Sequence, residues 1–359
     1  MITTHRNVQK VTFGERSRYK LPLLTQTRGW TLVLVDDYFR TNPVLLGGII
    51  CGNNMLLHYI DTSVEPSVDR IDELIELYLD RPEGHDRILP GCIVGIGGGS
   101  TLDTAKAVSI LLTNPGKAED YQGWDLVKNP SIYKIGIPTL SGTGSESSRT
   151  CVLTNKEKNL KLGINSDYSM FDEIILDPDL TRTVPRDQFV YTMMDTYYHC
   201  TEYMSGMERN MITDSLAYEA SLLLFDVIWG KKDILEFRVR EKVMVASYLG
   251  GTAAGCTGIV HPFSAGLSMV LGIRHGLANC IAACSNDDLF RVYRRATQFF
   301  MGKLDVELPV GVCNGLTDEQ HNQLYEATVV HEKPLANALG PDWKDILTGE
   351  RVRSIFEGM

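Results

Sequence analysis

An apolar run at residues 92–96 (CIVGI) enters three consecutive glycines and a serine, Gly97, Gly98, Gly99 and Ser100, and continues as TLDTAKAVSILLT, which reads as a helix. This junction narrows the possible folds more than any other stretch. The run is short and free of polar residues, as a strand buried on both faces of a parallel sheet should be. Glycines there let a ligand approach the backbone closely. A helix opening directly after them presents unpaired amides and a positive dipole end, which suit an anion such as a pyrophosphate. Residues 134–138 (KIGIP) repeat the arrangement ahead of TLSGTGSES, where Thr139, Ser141, Thr143 and Ser145 alternate with Leu140, Gly142 and Gly144. A third apolar run, 30–35 (WTLVLV), ends at Asp36 and Asp37. Between these runs, Ile71, Leu74, Ile75 and Tyr78 share one face of an amphipathic helix over 68–79. Strands alternating with helices imply an α/β layer with a parallel sheet.

The first glycine loop is neither GxGxxG nor a P-loop, and taken alone it fits a plain capped turn as well as a phosphate cradle. Ser100 is expected to cap the helix, with Asp103 three residues on. Lys106 lies one turn further, within expected reach of a ligand. The second loop, rich in hydroxyls, adds a surface that can wrap a diphosphate or a ribose. An acidic residue at the end of the 30–35 strand can accept the ribose 2′-hydroxyl of NAD and would repel a 2′-phosphate, so NAD is expected ahead of NADP. Asp36 is the candidate, and its neighbour Asp37 leaves that choice open.

After about residue 180 the texture changes to helices, expected over 188–206, 212–229, 235–256, 259–284 and 288–301. The boundary is placed near Asp177 and Pro178, giving units 1–180 and 181–359. In the second unit, Asp195 and His199 lie four residues apart, on one face of a helix. His261 and His275 follow in a glycine-rich segment. One carboxylate and three imidazoles suit Fe²⁺ or Zn²⁺, whereas Mg²⁺ and Ca²⁺ prefer oxygen shells. A metal site downstream of a nucleotide-type loop points to chemistry rather than passive binding.

The 359 residues are 43% hydrophobic and 22% charged, enough for a sizeable core. A formal net charge of −10 and the lack of any Lys/Arg run argue against nucleic acid as a partner. The eight cysteines, at 51, 92, 151, 200, 256, 280, 284 and 313, form no CxxC pair, and most read as small buried hydrophobes in a reducing compartment. The N-terminal segment lacks an apolar signal core, and no stretch approaches the roughly 20 apolar residues of a membrane span. A cytoplasmic protein without a membrane partner is expected.

Four motifs in this order, GGGSxxDxAK, PTxSGTGSE, DxxxH and GxxHxxxxxLxxxxxxxHG, resemble the iron-dependent (group III) alcohol dehydrogenases. The likeness runs from about residue 10 to about 285, with Phe13-Gly14, Asp177-Pro178, Thr213-Asp214 and Ala246-Ser247 also in place, and the last stretch matches poorly. The resemblance implies an α/β N-terminal dinucleotide-binding domain plus an all-α C-terminal metal-binding domain, the dehydroquinate synthase-like fold, with the active site between them. It implies that Asp195, His199, His261 and His275 hold the metal and serve catalysis. It implies cofactor contacts at Asp36, Gly97, Gly98, Gly99, Ser100, Asp103, Thr139, Ser141, Thr143 and Lys161. The implied reaction oxidises a primary alcohol to an aldehyde with NAD and Fe²⁺ or Zn²⁺, losing activity in acid as the histidines protonate. A homodimer or higher oligomer is expected.

Three positions depart from the pattern. Many members carry another histidine, a candidate proton carrier, where this chain has Ala265. Arg149 and Arg274 add cations that suit a carboxylate, although ordinary surface arginines explain them too. Within the family the chain looks most like enzymes that oxidise the C8 hydroxyl of 3-deoxy-manno-octulosonate, a sugar acid of lipopolysaccharide synthesis. Oxidation of another polyol or small alcohol, a dehydroquinate-synthase-like lyase using NAD transiently, and a non-catalytic binding module are the alternatives.

Overall fold

Nine strands are present in the computed structural model, which describes residues 5–50, 54–79, 89–230, 233–234 and 236–359. They are β1 (Lys10–Phe13), β2 (Thr31–Asp36), β3 (Met55–Ile60), β4 (Cys92–Gly97), β5 (Gly123–Trp124), β6 (Lys134–Pro138), β7 (Thr150–Asn155), β8 (Leu160–Asn165) and β9 (Glu173–Leu176). Six of them form a wholly parallel sheet in the order β1-β9-β6-β4-β2-β3. β5, β8 and β7 make a small second sheet.

The apolar runs become strands for the expected reason. Leu32 and Leu34 of β2 enter one core and Val33 and Val35 the other, all without solvent exposure. Burying each such side chain contributes roughly 1.5–3 kcal/mol. α1 (Val68–Leu79) and α2 (Gly99–Leu111) cover one face of the sheet through Ile71, Ile75, Leu102 and Ala105. β3 lies on one side of β2 and β4 on the other, so the strand order reverses direction between β2 and β4. A crevice opens at the carboxyl ends of strands at such a reversal.

The remaining helices of eight residues or more are α3 (Arg186–Ser205), α4 (Met211–Trp229), α5 (Phe237–Ala253), α6 (Val260–Leu271), α7 (His275–Ala283), α8 (Arg291–Leu304), α9 (Asp318–Val329), α10 (Glu332–Leu339) and α11 (Gly349–Glu357). They share one continuous core that includes Tyr198, Leu224, Val243, Phe263 and Phe356. The segment 259–284, read from sequence as one helix, is two. Gly272 ends α6 in the left-handed conformation (φ +67°), and a new helix starts at His275. Glycine adopts that cap conformation without steric cost, and apolar residues on both sides hid the break.

The second hydroxyl-rich loop ties sheet to helices. A Cβ on Gly142 would collide with the Thr192 carbonyl of α3, and one on Gly144 would collide with Gly251 of α5. The Gly142 amide donates to Ser247 Oγ (2.8 Å), and Thr196 Oγ1 donates to the Gly142 carbonyl (3.0 Å). The described cysteines are free, and all but the half-buried Cys284 are buried. Cys51 lies outside the described residues. Among the described residues no helix is long and apolar enough to cross a membrane.

Candidate active site

α3 carries Asp195 and, one turn on, His199. α6 carries His261 in its first turn, and the break at Gly272 puts His275 at the start of α7. Asp195, His199 and His261 each offer a ligand atom, all within 4.8 Å of one another. Asp195 Oδ1 lies 3.7 Å from His199 Nε2, 3.3 Å from His261 Nε2 and 3.6 Å from His275 Nε2. The structure therefore gathers the three predicted histidines around the buried carboxylate of the fourth predicted residue, Asp195. The His199 and His261 rings stack at 4.6 Å.

Two further residues complete the cluster. Glu202, fully buried on α3, accepts hydrogen bonds from His261 Nδ1 and from the Val260 amide. Asn279 of α7 donates from Nδ2 to Asp195 Oδ1 (2.7 Å). Sequence reasoning missed both, although the spacing carried the signal. Glu202 lies three residues after His199, and Asn279 four after His275, so each shares a helical face with its histidine.

Burial opposes charge on Asp195, but the three imidazoles outweigh it and hold the carboxyl well below its ordinary range. Burial lowers His199 and takes His275 down to about 4. At His261 burial acts the same way, yet Glu202 and Asp195 overcome it and raise the imidazole to about 10. Asp195 Oδ2 is buried and has no hydrogen-bond partner among the described residues. An ionised carboxylate with an orphaned oxygen, facing imidazoles on three helices, fits a divalent cation.

The cluster faces a cleft of about 1200 Å³ whose opposite wall is the sheet's carboxyl edge. Asp36, Gly98, Gly99, Ser100, Asp103, Thr143 and Lys161 line it. Asp36, rather than Asp37, faces the cleft, and its Oδ1 accepts from the Tyr38 amide and Thr62 Oγ1, both at 3.0 Å. α2 begins after Gly98 with no side-chain cap, which leaves its first amides open to an anion.

Several sequence expectations need correction. Ser100 does not cap α2, because the helix already starts at Gly99. Lys106 does not reach the cleft: it is wholly buried and donates to the carbonyls of Ser148 (3.1 Å) and Thr150 (2.8 Å). Asp103 reaches the wall, but its oxygens accept from Ser145 Oγ (2.5 Å) and the Val152 amide (3.0 Å), so it braces the second loop. Gly97, Thr139 and Ser141 lie behind the lining, with the Thr139 amide donating to the Gly97 carbonyl (2.9 Å). Arg149 is not on the cleft wall either. It pairs with Asp125 and Asp167, and two carboxylates occupy the fork expected for substrate. Arg274, by contrast, lines the cleft and is exposed. Ala265 lines it too, and so does His331, at the start of α10, which the sequence reading passed over.

Comparisons with known proteins agree with this plan. Residues 9–178 match the family model described as iron-containing alcohol dehydrogenase, and residues 189–324 match that of the Fe-containing alcohol dehydrogenase family, C-terminal. The likeness thus extends past residue 285, where sequence motifs alone had ended it. A sulfoacetaldehyde reductase of Bilophila wadsworthia is 36% identical over 63% of this chain and 57% of its own length. An NAD-dependent methanol dehydrogenase of Bacillus methanolicus is 31% identical over 53% of this chain and 50% of its own. The chain spans about half the length of these curated relatives. A sulfoacetaldehyde reductase from Bifidobacterium kashiwanohense, solved in complex with NAD⁺, shares the fold with a TM-score of 0.78 and 22% identity, covering 99% of this chain and 98% of that one.

Proposed function

The chain belongs to the iron-containing alcohol dehydrogenase family, and we propose that it interconverts a primary alcohol and its aldehyde using NAD and a divalent metal, Fe²⁺ or Zn²⁺. The observation that carries this reading is the buried Asp195 carboxylate, whose Oδ1 is ringed by His199, His261 and His275 and whose Oδ2 has no hydrogen-bond partner among the described residues. It shares one cleft with an uncapped helix start and an acidic strand end. The metal would acidify the substrate hydroxyl, and NAD would accept the hydride.

The chain's own groups supply position and charge. Glu202 fixes the ring of His261 so that Nε2 faces Asp195, and Asn279 holds Asp195 Oδ1. Asp36 would accept the ribose 2′-hydroxyl and repel a 2′-phosphate, favouring NAD over NADP. Lys161, paired with Glu65 at 3.1 Å, flanks the cofactor side. The finer reading is a sugar-acid substrate, 3-deoxy-D-manno-octulosonate oxidised at C8. With Arg149 engaged elsewhere, Arg274 is the cation that supports it.

The test is anaerobic purification with metal analysis, then assay of NAD and NADP with 3-deoxy-D-manno-octulosonate, polyols and short alcohols. Net NADH accumulation supports the dehydrogenase. Turnover of a substrate without it would mean a lyase that uses NAD transiently. His275→Ala is expected to lose metal and turnover together, and full retention of both would sink the ligand assignment. Asp36→Gly is expected to improve NADP use.

A further inference from the structure

Oxidising an alcohol releases a proton as well as a hydride, and the four candidate metal ligands are committed to a cation. The helix that carries His261 offers only the methyl of Ala265 to the cleft one turn later. Most other protonatable groups on the cleft wall are engaged. Glu65 pairs with Lys161 (3.1 Å), Glu332 with Lys344 (2.8 Å), and Asp103 accepts from Ser145 and Val152. Burial pushes the Cys256 thiol up to about 12. Asp36 is held by Tyr38 and Thr62 at the sheet edge.

His331 is different. Its Nε2 is buried and has no hydrogen-bond partner among the described residues. Its backbone is fixed at both ends: the amide donates to the Thr328 carbonyl (3.3 Å) and the carbonyl accepts from the Leu335 amide (3.1 Å). α9, which leads into it, packs along α6 so closely that a Cβ on Gly266 would come within 3.0 Å of Thr328 Oγ1. The turn bearing His331 is thereby held against the segment of α6 that contains Ala265. Burial, with Lys161 on β8 and His261 on α6 acting in the same sense, lowers this imidazole to about 4, so it is neutral and able to accept. No hydrogen bond or ring contact joins it to His261 among the described residues.

We propose that His331 is the proton carrier of this cleft, serving the position that α6 leaves empty at Ala265. The proposal rests on the dehydrogenase reading above. In the oxidation direction the substrate O–H bond breaks and an N–H bond forms on the His331 imidazole. The carbon loses its hydride, with both electrons, to NAD⁺, so the alcohol is oxidised and the cofactor reduced. The imidazolium then returns its proton to water. In the reduction direction the same group protonates the nascent alcohol. A neutral acceptor next to the reacting hydroxyl contributes about 10²–10⁴-fold in such steps.

The test compares wild type with His331→Gln and His331→Ala, each reconstituted with Fe²⁺, in 1-propanol oxidation and propanal reduction. We expect kcat at neutral pH to fall about 10²-fold or more, with metal content and NADH affinity unchanged. The loss should shrink at alkaline pH and under added imidazole for the alanine variant. Moving the base, in the double variant Ala265→His/His331→Ala, should restore part of kcat. A wild-type kcat and pH profile in His331→Gln overturns the proposal. A second readout does not depend on turnover: in the Zn²⁺-loaded wild type with NADH bound, the side-chain ¹⁵N resonance of His331 should shift when 1-propanol is added. A resonance that stays in place also overturns the role. Lack of NAD(H)-linked turnover of any alcohol by the wild type would instead overturn the dehydrogenase reading, while the resonance still decides the contact.

Discussion

At the scale of single residues, the candidate site depends on what surrounds Asp195. Its Oδ1 is fixed by Asn279, while Oδ2 is left without a hydrogen-bond partner among the described residues. Glu202 holds the far side of the His261 ring, a carboxylate–histidine pairing that sets orientation and basicity. Glu202→Gln keeps the shape and removes the charge, so metal affinity should fall about 10–100-fold, measured by competition with a chromogenic chelator. An unchanged affinity would mean that Glu202 only fills space. Asp195 and His199 were legible as candidate ligands because helical spacing and residue type say the same thing, and His261 and His275 through residue type and the order of the motifs. Glu202 and Asn279 carried the same spacing signal but are residue types with too many ordinary uses. His331 was not legible, since only tertiary packing brings it to a cleft whose other histidines are at least 56 positions away. Arg149 failed in the opposite way: the sequence supplied a cation near the right loop, and Asp125 and Asp167 took it.

At the scale of elements, the apolar runs pointed to strands of a parallel sheet because they are short, rich in Val, Ile and Leu, and mostly bounded by glycine or aspartate, as strands buried on both faces are. The hydroxyl-rich loop after β6 was read as a cofactor wrap. Much of its sequence instead serves the docking of sheet onto helices, through Gly142, Gly144 and the buried Glu146, which accepts from Ser247 Oγ (2.9 Å). Gly142→Ala would drive a Cβ into the Thr192 carbonyl. It should cost more than about 2 kcal/mol and depress cofactor affinity as Thr143 shifts, readable by denaturant unfolding and NADH titration. Normal stability would show that the loop can back away from α3. On β6 itself, Lys134 is 1% exposed, and burial lowers its ammonium to about 8 despite Asp172 at 3.9 Å. Its ordinary value in an unfolded chain is about 10.4. Between those values the unfolded chain binds the proton and the folded chain does not, so stability should rise with pH across that window. Below about 8 both states are protonated and the penalty is constant. Lys134→Met should therefore raise Tm at pH 7 and flatten the alkaline rise. A lower Tm would mean that its bond to Ser131 Oγ, at 2.6 Å, outweighs the buried charge.

At the scale of the whole molecule, a bound cation would do more than assist chemistry. Its candidate ligands come from α3, α6 and α7, with His199 and His261 separated by 62 positions, so the metal would cross-link segments that are far apart in the unfolded chain. Anything that binds only the folded state stabilises it by mass action, by about 2.7 kcal/mol at a hundredfold excess over Kd. Each kcal/mol moves Tm by roughly 2–4 °C for a folding unit of 150–250 residues. Stripping the metal with a chelator should therefore lower Tm by about 5–10 °C, and re-adding Fe²⁺ or Zn²⁺ should restore it. His275→Ala separates this from any general salt effect. Its metal-free Tm should lie close to that of metal-free wild type, because His275 gives up only long Nε2 contacts, to Asn279 Nδ2 at 3.3 Å and Asp195 Oδ1 at 3.6 Å, while the metal-dependent increment should largely disappear. NAD supplies the contrast, since the wall proposed for it belongs to β2, the turn at Gly98 and α2. The increment from NAD should persist in His275→Ala. Equal Tm values with and without chelator in the wild type would contradict a cation-linked helical cluster. A metal increment surviving intact in His275→Ala would assign the cation to a site without His275.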